Sequence, residues 1–460
     1  MSLIKSISGF RGTIGGKPND NLTPIDIVKF ASAYGSWLIN KAPGKKKVVV
    51  GRDGRISGEI VESLVEQSLL ALGIDVIHLG LSTTPTVEMA VVFEQADGGI
   101  ILTASHNPKQ WNALKLLNDK GEFVSAKEGE TILQLAANED FHYAPVDQLG
   151  KVIPNNNSLD KHIAAILKNS LIDIPAIKSA NFSVVVDAIN SSGAFAVPAL
   201  LKAIGVENST VVNAEMNGEF AHNPEPLKEH LTDLCSTVLN KKAHLGIAVD
   251  PDVDRLCFVS EDGNLFGEEY TLVAVADYIL QNKKGSTVSN LSSTRALKDI
   301  TEKHGCSYFA SAVGEVNVVN KMKQEKAVIG GEGNGGIIVP DLHYGRDALI
   351  GIALFLTHLA KSKLTASALR ASYPAYFMSK KKIDLEANTS LSNIFSALEN
   401  KYKAYSINKE DGLKIDFENE WVHLRSSNTE PIIRIYTESP TQAGADKLAM
   451  DIISTIETIK

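Results

Sequence analysis

The chain has 460 residues, 44% hydrophobic and 22% charged, with a net charge of −8 and a pI near 5.8. At about 150 residues per domain that length predicts roughly three domains with room for a fourth, and the acidic balance argues against a nucleic-acid surface. Cys235, Cys257 and Cys306 lack CxxC spacing, the N-terminus has no apolar signal core, and no stretch approaches about 18 apolar residues. The expectation is therefore a cytoplasmic protein with no disulfide framework, zinc site, signal peptide or membrane span.

In chain order, Lys47–Gly51 reads as a short apolar strand, and Ser57–Leu72 as a helix carrying Ile60, Val61, Leu64, Val65 and Leu69 on one face. Asp75–Leu79 reads as a strand, Thr86–Phe93 as a helix and Gly99–Leu102 as a buried strand, a βαβαβ rhythm. Pro154–Asp160, with its run of three asparagines, is expected to be a linker. The rhythm then returns with Phe182–Asp187, Gly193–Ile204, Glu229–Asn240 and Leu245–Val249. A third round is predicted to open at Leu256–Ser260 and to run through helices at Glu268–Gln281, Arg295–His304 and Val316–Glu325 to a strand at Ala327–Ile329. After Pro374 the alternation in Phe377–Leu385, Leu413–Phe417, Trp421–Leu424 and Ile432–Thr437 predicts a more antiparallel sheet, closed by a helix over Thr441–Ile459.

Two motifs carry most of the chemistry. Thr103–Pro108 (TASHNP) places one serine, Ser105, and its neighbour His106 on a polar turn after a strand, without the Gly-x-Ser-x-Gly elbow of a hydrolase. Asp250–Arg255 (DPDVDR) brings Asp250, Asp252 and Asp254 to the C-terminal end of a strand, where open α/β sheets bind ligands. Three alternating carboxylates form a hard-oxygen site suited to Mg2+, and a serine that carries phosphate needs such a cation. An EF-hand is excluded because Arg255 stands where the loop needs glycine. A phosphatase of the haloacid dehalogenase type, with Asp250 as nucleophile, stays open as an alternative.

Lys115 follows ten residues after Ser105, placed to balance charge or to move a proton. Arg425-Ser-Ser-Asn-Thr-Glu-Pro431 offers a guanidinium, hydroxyls and amides for phosphate. Gly330–Gly336 surrounds Glu332 and Asn334 with five glycines, so that backbone can approach a ligand while Glu332 accepts from sugar hydroxyls. Arg11, Arg52 and Arg55 lie in short Gly-flanked basic stretches, and the ordinary reading of such arginines is solvent exposure.

These elements, in this order, resemble the α-D-phosphohexomutase superfamily over essentially the whole chain. The family's phosphoserine motif falls on Ser105 and Lys115, its metal loop on Asp250, Asp252, Asp254 and Arg255, and its sugar loop on Glu332 and Asn334. Its phosphate loop falls on Arg425, Ser427, Asn428 and Thr429, with Arg434 just beyond. The resemblance implies an α/β fold of four domains around a central cleft: 1–153, 154–255 and 256–372 with a shared mixed-sheet core, and 373–460 as an α+β phosphate-binding domain.

It further implies an isomerase that uses one Mg2+ per chain, held by Ser105 and the three aspartates, and a hexose 1,6-bisphosphate intermediate or activator. Catalytic roles would fall to Ser105, Lys115, Arg11, Arg255 and His106. The partner is a small-molecule hexose phosphate, with a monomer or homodimer and no nucleic acid or membrane. Phosphoglucosamine mutase is the leading assignment and phosphomannomutase/phosphoglucomutase the second, while a non-catalytic sugar-phosphate sensor is the rival class. Two positions depart from the family pattern. Ala113 replaces a glycine, with an effect expected only on a turn. Gly336 replaces a histidine linked to proton transfer, a role left to Lys115, His343 or water.

Overall fold

A computed structural model describes residues 2–6, 9–384, 391–426 and 432–459. The chain divides into two compact units, Met1–Thr271 with Gly335–Ser367, and Leu272–Asn334 with Ala368–Lys460.

The first unit opens with β1 (Ile4–Ser6), β2 (Gly9–Thr13), α1 (Pro24–Lys41), β3 (Lys47–Arg52), α2 (Gly58–Ala71), β4 (Asp75–Leu81) and α3 (Thr84–Phe93). Then come β5 (Gly98–Leu102), β6 (Trp111–Leu117), α4 (Ala126–Asn138) and β7 (Val152–Pro154). The sheet order is β1-β2-β6-β5-β3-β4-β7, parallel from β5 through β7 and antiparallel from β1 through β5. Val48, Val49 and Val50 of β3 are fully buried, as a central parallel strand covered on both faces requires. The sequence reading passed over α1. Its start signal is Thr23-Pro24 followed by Asp26, whose carboxylate accepts from the Thr23 backbone N at 3.1 Å and from the Thr23 hydroxyl. The expected linker is largely structured: β7 pairs with β4 and ends at Pro154, and the next helix begins at Ser158.

A second sheet follows. Its elements are α5 (Ser158–Leu167), α6 (Ile174–Ala180), β8 (Ser183–Asp187), α7 (Gly193–Ala203), β9 (Asn208–Val212), α8 (Thr232–Lys241), β10 (Leu245–Val249) and β11 (Leu256–Ser260). The order is β11-β10-β8-β9. Leu256–Ser260, expected to open the third round, instead pairs antiparallel with β10 along its whole length. A tight turn of Asp250–Arg255 therefore joins two neighbouring buried strands.

The helix α9 (Glu268–Asn282) leads into β12 (Thr287–Asn290), α10 (Ala296–Lys303), β13 (Tyr308–Ser311), α11 (Glu315–Glu325) and β14 (Ile329–Glu332). In the second unit β12 lies between β13 and β14, all parallel. The strand expected at Ala327–Ile329 begins later and ends on Glu332. β15 (Gly336–Ile338) and α12 (Ala348–Ser362) belong to the first unit, where α12 packs on α6 and α7.

After α13 (Ala366–Ala371) come β16 (Phe377–Asp384), α14 (Leu391–Lys401), β17 (Ser406–Asn408), β18 (Leu413–Asp416), β19 (Trp421–Ser426), β20 (Ile432–Ser439) and α15 (Gln442–Ile459). Their sheet, β16-β20-β19-β18-β17, is antiparallel throughout, as the alternating pattern predicted. Among the described residues no helix is long and apolar enough to cross a membrane.

Candidate active site

Ser105 sits just beyond β5 in a left-handed conformation, φ +48°, with its side chain buried. Its backbone N donates to Thr103 Oγ1 at 2.9 Å, and that hydroxyl donates to Asp53 Oδ2 at 2.6 Å. Arg55 organises the loop from below. Its Nε donates to Asp53 Oδ2 at 3.0 Å, and its Nη1 reaches the carbonyls of Pro108 and Trp111, both at 2.9 Å. Its Nη2 bonds the carbonyls of Ser105 and, at 2.7 Å, Asn107. The side chain of Arg55 is fully buried, so the solvent-exposed reading of this arginine is overturned. Arg52, on the same stretch, ion-pairs with Glu62 at 2.9 Å.

The loop meets the carboxylates from 145 residues away: Ser105 Oγ donates to Asp250 Oδ2 at 2.6 Å. Asp250 Oδ1 takes the backbone N–H groups of Asp254 and Arg255, both at 3.1 Å. Asp252 Oδ2 accepts from Lys115 Nζ at 2.8 Å and Thr84 Oγ1 at 2.6 Å, and Asp254 Oδ2 from Arg346 Nη2 at 2.6 Å. All three carboxylates are buried, and one ligand oxygen of each lies within 4.8 Å of the others. The outer oxygens Asp252 Oδ1 and Asp254 Oδ1 are buried and make no hydrogen bond. Buried acceptors of this kind are costly unless something fills them. A hard divalent cation fits the set, since the remaining oxygens are already taken by protein donors. The candidate ligands are the three aspartates and Ser105 Oγ.

The electrostatics agree. Burial, then Asp254 and Asp252, push Asp250 well above the usual carboxylate range. Burial also acts against an ionised Asp252, but Lys115 and Thr84 outweigh it and hold this carboxyl low. For Lys115 burial favours the neutral amine, and Asp252 with Asp254 reverse that and raise it, so the group is an ammonium. Burial, then Arg255, Arg11 and Arg346, depress His106 to about 2. Of the three guanidiniums that act on this neutral imidazole, Arg11 also donates to Asn107 Oδ1 at 3.0 Å, and Arg255 makes loose approaches of 3.8–4.0 Å to Glu225, Asp254 and Asp250. Three guanidiniums acting on the residue that follows Ser105 suit a doubly charged phosphate.

The two departures also find their places. Ala113 lies inside β6 opposite Arg11, not in a turn. Gly336 is bridged to Arg255 through backbone. The possible substitute His343 has its ring held between carboxylates, Nδ1 3.3 Å from Glu88 Oε2 and Nε2 3.3 Å from Asp347 Oδ2.

The second unit holds the other predicted groups. Glu332, at the end of β14, accepts at Oε1 from Asn290 Nδ2 at 2.9 Å and the Gly314 N–H at 3.1 Å, and the adjacent Gly333 N–H donates to Ser293 Oγ at 3.0 Å. Asn334 is the last residue of this segment. On the antiparallel sheet Arg425 lies directly opposite Arg434, and Arg434 opposite Lys382, a row of three cations across β19, β20 and β16. Like charges placed opposite one another are destabilising alone and favour an anion over them. Arg425 Nε forms an ion pair with Asp411 Oδ2 at 2.8 Å. Ser427, Asn428 and Thr429 lie outside the described residues.

Sequence reasoning missed Asp53, Thr84, Arg346 and Lys382. Thr84 sits in a Thr83-Thr84-Pro85 start signal that reads as a helix cap, and Arg346 in Gly345-Arg346-Asp347, which reads as a loop.

Four family descriptions match the chain in order. They are phosphoglucomutase/phosphomannomutase alpha/beta/alpha domain I over residues 4–143, domain II over 160–263, domain III over 267–376, and the C-terminal domain over 381–455. Among curated relatives, a phosphoglucomutase/phosphomannomutase from Thermococcus kodakarensis is 36% identical over 94% of this chain and 95% of its own length. A probable phosphoglucosamine mutase from Methanopyrus kandleri is 31% identical over 98% and 96%, and a phosphoglucosamine/phosphogalactosamine mutase from Sulfurisphaera tokodaii 30% over 99% and 100%. The crystal structure of a phosphoglucomutase/phosphomannomutase family protein from Burkholderia thailandensis shares the fold with a TM-score of 0.85 at 24% identity, covering 99% of this chain and 97% of that one.

Proposed function

Because the chain belongs to the phosphoglucomutase/phosphomannomutase family within the α-D-phosphohexomutases, and is thus a phosphohexomutase, we propose that it interconverts glucosamine 6-phosphate and glucosamine 1-phosphate through a phosphoserine at Ser105. The observation that carries the phosphoserine reading is Ser105 Oγ at 2.6 Å from Asp250 Oδ2, in a cluster with two buried carboxylate oxygens that lack partners, with three guanidiniums acting on the adjacent His106.

In this reading the resting enzyme carries phosphate on Ser105. A free hydroxyl of the bound hexose phosphate attacks the phosphorus, the Ser105 Oγ–P bond breaks, and the hydroxyl proton leaves to solvent or a neighbouring base. The bisphosphorylated sugar reorients, its other phosphate returns to Ser105, and the isomer is released. Bound Mg2+ would be held by Asp250, Asp252, Asp254 and Ser105 and would offset charge on the transferring phosphoryl oxygens. Arg11 and Arg255 steady the equatorial oxygens, and Arg55 holds the loop carbonyls so that Oγ stays in line. Lys115, already an ammonium, serves as a charge partner and donor rather than a resting base. Glu332 accepts from sugar hydroxyls, while Arg425 and Arg434 hold the phosphate that is not being transferred. The same phosphate would act on His106. Burial is the larger reason that its imidazole is neutral, and a dianion near Arg255, Arg11 and Arg346 would offset only their share.

The amino sugar is favoured by the relatives from Methanopyrus kandleri and Sulfurisphaera tokodaii, whose names specify it. A second reading, glucose and mannose phosphates, is favoured by the relative from Thermococcus kodakarensis. A phosphatase using Asp250 fits poorly, because it leaves the buried Ser105 hydroxyl, 2.6 Å from that carboxylate, without a role.

The test is turnover of glucosamine, glucose and mannose 6-phosphates side by side, with a trace of the matching bisphosphate, for wild type and Ser105→Ala. The expectation is highest kcat/KM on glucosamine 6-phosphate, loss of roughly 10³-fold or more in the variant, and a phosphate adduct seen by intact mass only in wild type. A variant that still turns over returns the chemistry to Asp250, and a faster rate on glucose or mannose phosphate selects the second reading.

A further inference from the structure

The turn that carries the three aspartates is strained. Val253, a β-branched and fully buried residue, has φ +62°. Branched side chains avoid this region, and such a conformation persists only where surrounding contacts impose it. Within the turn, Val253 N donates to Asp250 O at 3.0 Å. The other contact comes from 95 residues on, where the Ala348 N–H donates to Val253 O at 3.2 Å. Two residues before Ala348, Arg346 donates to Asp254 Oδ2 at 2.6 Å, leaving Asp254 Oδ1 bare. One short arm, Arg346–Ala348, therefore sets both the backbone of the turn and the direction of one carboxylate.

The arm has its own mount, deeply buried and without a role in the chemistry above. Asp347 caps α12, with Oδ1 accepting from the Leu349 N–H at 2.8 Å. Its Oδ2 meets His162 Nε2 at 2.9 Å and His343 Nε2 at 3.3 Å. The far nitrogen of His162, Nδ1, is held by Thr86 Oγ1 at 3.0 Å, and His343 Nδ1 lies 3.3 Å from Glu88 Oε2. Gly345 lies so close that a Cβ there would stand 1.8 Å from Glu88 Oε2 and would displace that carboxylate. Thr86 and Glu88 belong to α3, whose first residue, Thr84, bonds Asp252 through both its hydroxyl and its N–H. The cluster thus connects the two elements that hold Asp252 and Asp254 from outside.

We propose that Arg346 is the outer partner that orients Asp254 for a divalent cation, and that the buried His162–Asp347–His343–Glu88 cluster positions Arg346 and the Val253 turn, making His162 a positioning residue. This rests on the cation reading of the three aspartates but not on the mutase reaction or the sugar. Outer-shell partners of this kind typically govern metal affinity by 10–100-fold.

The test is titration of the full-length protein with Mn2+ alone, free ion followed by electron paramagnetic resonance, with no sugar phosphate present. Two opposing effects give the Arg346→Met result its meaning. As a mere charge, Arg346 repels the cation, so its removal would tighten binding. As an orienting group, its removal loosens Asp254 and weakens binding. The expected result is a Kd raised about 10-fold or more in Arg346→Met. His162→Phe, which changes no group at the ion, is expected to raise Kd about 3–10-fold, and His162→Gln, which keeps a donor toward Asp347, to stay within about twofold of wild type. Binding by Arg346→Met as tight as wild type or tighter overturns the proposal. An unchanged Kd in a folded His162→Phe removes the mount from it, and if that variant does not fold, Arg346→Met and His162→Gln decide. Wild type that binds no Mn2+ overturns both this and the cation reading, whereas Mn2+ binding without mutase turnover overturns only the function.

Discussion

Replacing Arg55 separates two tasks that one side chain performs. Its guanidinium neutralises buried Asp53 at 3.0 Å and ties together the carbonyls of Ser105, Asn107, Pro108 and Trp111. Arg55→Met removes both. Breaking a buried pair by deleting one partner costs about 3–5 kcal/mol. Burial already raises Asp53 despite Arg55, and loss of the cation raises it further, so the loss should be about 4 kcal/mol. Arg55→Lys keeps the charge beside Asp53, but an ammonium has three donors and no fork. It can serve only part of the four-carbonyl set. The stability loss is then about 2–3 kcal/mol, one or two charge-assisted hydrogen bonds. Turnover should fall about 10²-fold all the same, because the loop that presents Ser105 Oγ is no longer held in register. Urea unfolding with Mg2+ present gives the first quantity, and kcat at saturating substrate gives the second. An Arg55→Lys enzyme with kcat within about threefold of wild type would refute the claim that these four carbonyl contacts place the nucleophile.

Two further outcomes are expected. Arg425→Ala should raise KM about 10–100-fold through loss of a charge-assisted phosphate contact, with bisphosphate leaking into solution. A collapse of kcat at constant KM would instead place Arg425 in the transition state. Burial favours the neutral His343 ring, but donation to Asp347 and the nearby Glu88 carboxylate outweigh it and raise the group from 6.5 to about 10. A raised value means the folded protein holds a proton that the unfolded chain releases, so this stabilisation is complete below pH 6.5 and is lost as pH rises toward 10. Unfolding free energy should therefore decline between those limits by up to about 1.4 kcal/mol per pH unit, and His343→Gln should flatten that decline. An identical slope in the variant would show that the ring is not charged in the fold.

Groups that act through contiguous chain are legible without coordinates. Thr103–Pro108 and Asp250–Arg255 each carry a donor set within six residues, and the strand before each marks where the set emerges, so both could be read without coordinates. The antiparallel C-terminal sheet was equally legible, because period-two alternation is a local property. What lay beyond reach was whatever depends on distant segments meeting. Whether Leu256–Ser260 opens a new domain or turns back on Leu245–Val249 is a pairing decision, and local propensity does not choose between partners. Arg55 reads as one more arginine in a polar stretch until the loop 50 residues later closes over it. Thr84 reaches Asp252 across 168 residues, and Arg346 reaches Asp254 across 92. A side chain's charge and donors are set by its identity, but its burial and its partner are set by the packing of the whole unit. That packing turned ordinary arginines, a helix-capping threonine and two histidines into the surroundings of the three aspartates.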